Sequence, residues 1–159
     1  MPDDDPNVFR VWVQWLFVGQ ITCEILSIED INNILVKGWI LGDKLGCWIF
    51  QDIVMLELLA CHSPYWGNDS IEPSTLRAAY EGSGPGSMLR KWAIDFFLFE
   101  TRNKSCGEVS ALQRNIKDIE DFSQDYMEAS VKCSLEGEPA NPYIVPSQYM
   151  VRSQYARTL

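Results

Sequence analysis

Leu89, Trp92, Ala93, Phe96 and Phe97 follow the spacing i, i+3, i+4, i+7, i+8 without a miss. That spacing lines one face of an α-helix and is incompatible with a strand, whose side chains alternate every second residue. Ser87 stands where the helix needs an N-cap. Arg90, Lys91 and Asp95 are expected to face outward. A helix that commits three aromatic rings to one face needs other helices to cover it, and the rest of the chain supplies them.

Asp5, Pro6 and Gly19 frame a first helix over Pro6–Val18, as N-cap, first-turn proline and C-terminal stop. Its only polar side chains after Asn7 are Arg10 and Gln14. A helix this apolar should be buried on more than one side. Ser27-Ile28-Glu29-Asp30 matches a capping box and opens a second helix that ends at Gly46-Cys47. Gly38 and Gly42 weaken its interior unless something packs closely there. Trp48–Ala60 predicts a third helix, with His62–Glu72 a turn-rich loop after it. A short helix from about Pro73 to Glu81 precedes the tight link Gly82–Gly86. Leu112 to about Ser134 keeps helical spacing through Leu112, Ile116, Ile119 and Phe122, with a break. Three prolines after Glu136 make residues 136–159 an extended or disordered tail. The expected fold is all-α: a bundle of about six helices in one domain over residues 1–135, with at most one short strand near Gln20–Leu26.

Charge narrows the function. Thirteen basic residues against 22 acidic ones give a net charge of −9. The basic residues are scattered, whereas a phosphate backbone calls for clustered Lys and Arg. No nucleic acid and no anionic membrane surface is expected as a partner. The longest apolar runs, Val11–Val18 and Ile53–Cys61, are too short to span a bilayer. The start, Met1-Pro2-Asp3-Asp4-Asp5, is the opposite of a secretory leader. Five widely spaced cysteines fit reduced thiols, and the expected location is cytoplasmic or nuclear.

Four stretches then resemble one family. Phe9-Arg10-Val11-Trp12-Val13-Gln14-Trp15-Leu16-Phe17-Val18-Gly19 resembles a late helix of BTB/POZ domains, and the acidic lead-in Pro2–Pro6 matches too. Leu35–Leu45 and Ile49–Met55 resemble the two helices that follow it. Pro73, Leu76, Arg77, Tyr80, Glu81, Gly86, Ser87, Leu89, Arg90 and Asp95 resemble the pattern that comes after in fungal BTB proteins. The resemblance covers residues 2–99. It implies the C-terminal portion of such a domain in residues 1–60 and the following helical region in 71–135. The sheet and dimer segment of a complete domain precede that point in the family.

Catalytic and metal chemistry find little support. Cys61-His62 with Cys23, Cys47 and Asp52 lacks the paired ligand spacing of structural zinc. As sequence neighbours, Cys61 and His62 diverge and make a poor nucleophile–base pair. Gly82–Ser87 precedes a helix N-terminus, but without the Lys and strand of a phosphate loop it reads as a turn. The acidic Asp118–Asp121 cluster reads as a solvated face. No metal, cofactor or catalytic residue is therefore expected, and the chain is not expected to be an enzyme. The expected function is a protein-interaction module that binds a protein partner or itself, an adaptor tied by its resemblance to ubiquitin ligation or gene regulation. Its candidate surface is Val8, Trp12, Trp15, Leu16 and Phe17 on the first helix, with Leu98 on the far side of the Ser87 helix. The alternative is a small helical enzyme or binding protein with an aromatic-lined pocket.

Overall fold

The computed structural model describes residues 5–21, 28–61, 72–102, 104–137 and 141–152. Among them there is no strand. Seven α-helices follow in order: α1 (Pro6–Val18), α2 (Ile28–Lys44), α3 (Trp48–Cys61), α4 (Pro73–Gly82), α5 (Met88–Thr101), α6 (Cys106–Ile116) and α7 (Phe122–Glu136). A 3-10 turn, Pro146–Tyr149, comes last. The fold is all-helical, as the capped periods predict, and the broken segment expected from Leu112 divides into α6, which starts earlier at Cys106, and α7. Most of the strand expected near Gln20–Leu26, the Ser27 cap and the His62–Glu72 loop lie outside the described residues.

Helix α2 is the hub and packs against α1, α3 and α4. Its two central glycines sit against α3. A Cβ on Gly42 would lie 2.8 Å from Gln51 Cγ and 3.2 Å from the ring of Phe50, so the side chain is missing where α3 comes closest. Phe50, Val54, Met55 and Leu58 are buried between these helices. A second aromatic core joins α4, α5 and α7. Phe97 meets Phe122 and Tyr126 edge-on at 5.3 and 5.4 Å, and Tyr80 meets Phe122 at 5.2 Å. Leu89, Trp92, Ala93, Phe96 and Phe97 are all buried, so the predicted face of α5 is core.

Arg90 corrects one expectation. It does not face outward but is buried to 8% exposure. The side chain reaches back beneath the Gly82–Gly86 link. Its Nε donates to the Ser83 carbonyl at 3.0 Å and its Nη2 to the Tyr80 carbonyl at 2.9 Å. These are carbonyls at the end of α4 that lack a partner within their own helix. Its Nη1 pairs with Asp121 Oδ2 at 3.0 Å, and the guanidinium lies 4.6 Å from the centre of the Tyr80 ring. Asp121 has φ +63°, a left-handed conformation that Asp tolerates better than most residues, and it starts α7. The acidic cluster is thus not only a solvated face: one of its carboxylates fastens α7 to α5.

Between Gly137 and Val151 the described residues form no α-helix, in keeping with the prolines. They are nonetheless docked. Tyr149 is fully buried, Pro142 and Val151 are buried, and the 3-10 turn packs on both α3 and α5.

Burial also leaves a cost in α3. The Glu57 carboxyl is pushed up from its ordinary range by desolvation. A carboxyl whose folded pKa is raised contributes most below its unfolded pKa, and that contribution is lost as pH rises through the folded value. Glu57→Gln should therefore raise the melting temperature more at pH 7 than at pH 4. Melting curves at the two pH values check this, and an equal shift at both would contradict it.

Candidate interaction surface

Helix α1 is built as its caps predict. Asp5 Oδ1 accepts the Asn7 N–H at 2.9 Å, and Gly19 at φ +73° donates its N–H to the Trp15 carbonyl. Asp5 also pairs with Lys37 of α2 at 3.4 Å, which ties the start of α1 to the hub. One face then turns inward. Val8 and Val11 are buried, and Trp12 and Trp15 rest half-buried on Phe50 at 4.8 and 5.0 Å between ring centres. The two indoles lie 5.3 Å apart.

The expectation that α1 is covered on more than one side fails. Phe9 is 47% exposed, Leu16 56% and Phe17 87%. At 100° per residue these three and Val13 fall on the face opposite Val8 and Val11. Among the described residues that face is covered only at Val13, which is half-buried. The physical reason is that α2 and α3 offer α1 a single side to lie on. Val8 is accordingly corrected from a surface residue to a core residue. Leu16 and Phe17 are the outward apolar residues of the candidate set, and Trp12 and Trp15 form its half-buried floor. Arg10 is exposed beside them and Gln14 is half-buried.

Leu98 lies elsewhere. It is half-buried and lines a groove of about 410 Å³ with Val109 and Tyr126, between α5, α6 and α7. The structure does not bring it to the α1 face. Two exposed apolar sets escape sequence reasoning. Ile49 and Leu56 on α3 are 47% and 48% exposed, and Met127, Val131 and Leu135 form an i, i+4, i+8 stripe on α7. The four-residue spacing of that stripe is legible in the sequence, but nothing there says that α7 buries its other side.

A larger cleft of about 630 Å³ separates α5 from α7. Its three basic side chains are each ion-paired: Arg90 with Asp121, Lys91 with Asp95, Lys132 with Glu136. Asp125 accepts the Tyr80 hydroxyl at 2.9 Å. Burial and that carboxylate push the phenol far above its ordinary range, so it serves as a donor and not as a base. The Cys133 thiol in the cleft is raised by burial and by Asp95, the wrong direction for a nucleophile. Trp92, Phe96 and Phe97 of α5 are packed core, and neither they nor the half-buried Phe99 line either cavity. Cys47 and Cys61 are half-buried and form no disulfide, while Cys23 and His62 lie outside the described residues. Among the described residues, no three His, Cys, Asp or Glu side chains converge to hold a metal. No described helix is long and apolar enough to cross a membrane.

Comparison with protein-family models, curated proteins and solved structures finds no match to this chain.

Proposed function

We propose that the chain is a non-catalytic protein-interaction module, related to the late helices of BTB/POZ domains, whose working surface is the outward face of α1. The family reading rests on the order of motifs across residues 2–99. By that resemblance the module serves as an adaptor, in ubiquitin ligation or gene regulation, in the cytoplasm or nucleus. The observation that carries the interaction reading is Phe9, Leu16 and Phe17 standing out on a helix whose other side is already packed.

The occupant we propose is a second copy of the chain. Burying one such side chain is worth about 1.5–3 kcal/mol, so several together drive association. A standard interface takes about 800 Å² from each partner, so the contact has to extend beyond Phe9, Leu16 and Phe17, and the exposed Ile49 and Leu56 of α3 are further apolar side chains for it. Light scattering at micromolar concentration should report a dimer, and Leu16→Asp combined with Phe17→Asp should return a monomer. A monomeric wild-type chain would refute self-association. A dimer that survives the double substitution would place the interface elsewhere.

A further inference from the structure

The segment 141–152 sits on α3 and α5 in the manner of a bound peptide. Apart from the Arg90 contacts to the end of α4, helices in this fold meet mainly through side-chain packing. Here a backbone amide is read by a side chain instead: the Val151 N–H donates to Asp52 Oδ1 at 2.6 Å. Tyr149 is the anchor. Its ring is fully buried, its hydroxyl donates to Asp95 Oδ2 at 3.0 Å, and Lys91 Nζ stands 4.6 Å from the ring centre. Tyr143 meets Phe96 and Phe99 of α5 edge-on at 6.1 and 5.8 Å. At the other end the Arg152 guanidinium lies 5.6 Å from the Trp48 ring of α3. A deep aromatic anchor, a main-chain hydrogen bond and a cationic end contact are what peptide grooves use for affinity and register.

We infer that the groove between α3 and α5 is a recognition site for a short, tyrosine-anchored peptide segment in a 3-10 turn, and that residues 141–152 occupy it as a built-in competitor. Tethering supports this arrangement. A segment joined to its site by a short stretch of chain sees it at an effective concentration of about millimolar, so modest contacts keep it seated and a tighter external segment displaces it. The built-in segment is also an imperfect fit. Gln148 Oε1 accepts from Lys91 at 3.5 Å, but its Nε2 is a buried donor with no acceptor. A carboxylate at that position shares Lys91 with Asp95 and removes the orphan donor. The preferred external partner is therefore a segment with Glu immediately before the anchoring Tyr. This surface is separate from the outward face of α1 and does not depend on it.

The test uses the full chain and a labelled peptide of the sequence Asn141–Arg152, followed by fluorescence anisotropy. The Tyr149→Ala chain, whose own segment has lost its anchor, should bind the peptide at least tenfold more tightly than wild type. A Gln148→Glu peptide should bind more tightly again, and a Tyr149→Ala peptide should not bind. A Tyr149→Ala chain that keeps its helical circular dichroism yet ignores the peptide overturns the inference. So does one that loses its helical signal, because the segment is then an integral part of the core. A second measurement needs no variant. In the wild-type chain the Val151 amide should exchange its hydrogen at least tenfold faster than the central amides of α5. Equal protection would show that the segment does not open separately. Neither result bears on light scattering, so the α1 proposal stands or falls apart from this one.

Discussion

Phe96→Ala is expected to lower stability by about 3–5 kcal/mol, the usual cost of emptying a fully buried Phe site. Phe96 is 1% exposed, sits 5.9 Å from the Trp92 ring and also meets Tyr143. Its neighbours come from α5 itself and from the docked segment, so the site cannot collapse from one side alone. Against a total stability of about 5–15 kcal/mol for a domain, this is a large fraction. Urea denaturation followed by circular dichroism measures it. A midpoint within experimental scatter of wild type would show that the aromatic face of α5 is not core.

Arg90→Met should cost a similar amount by a different route. Methionine fills much of the space but donates nothing. The Ser83 and Tyr80 carbonyls then lose their donors in a buried setting, at about 1–3 kcal/mol each. The cation over the Tyr80 ring adds about 0.5–2 kcal/mol. The ion pair itself adds little, because the Asp121 side chain is 49% exposed and water screens it. The expected total is about 3–5 kcal/mol. Arg90→Lys should recover less than half, since one ammonium cannot reproduce the planar fork that reaches three acceptors. The same urea titration applies. A loss below about 1 kcal/mol for Arg90→Met would mean that the α4–α5 turn is held by other contacts.

These two residues mark what the sequence displays and what it hides. Phe96 is legible because its role depends only on periodicity. The same holds for the Asp5 and Ser87 caps and for Gly19, where local chemistry and backbone conformation agree. Arg90 is not legible. A charged residue at an outward position of a helical wheel reads as solvated, and only the fold shows that the chain turns back over it at Ser83. Tyr149 is hidden for a related reason. Proline-rich sequence correctly excludes a helix but says nothing about whether an irregular segment docks. At the candidate surface, composition marks α1 as too apolar for one covered side, yet the described residues cover mainly one. Val8 and Phe17 are equivalent there, however, until packing assigns one inward and the other outward.

The hydrogen bond between Asp52 and Val151 closes a loop of 99 residues. Closing a loop of that size is entropically costly, and contacts this far apart in sequence form after local ones. Ribosomes add about 5–20 residues each second, so α3 emerges about 5–20 s before the segment that clasps it. During that interval the side of α3 around Asp52, and later the Phe96 and Phe99 edge of α5, are born without their cover. Newly made chains therefore pass through a stage in which this groove is open to chaperones or to any matching peptide, and the vacancy ends only when residues 141–152 arrive.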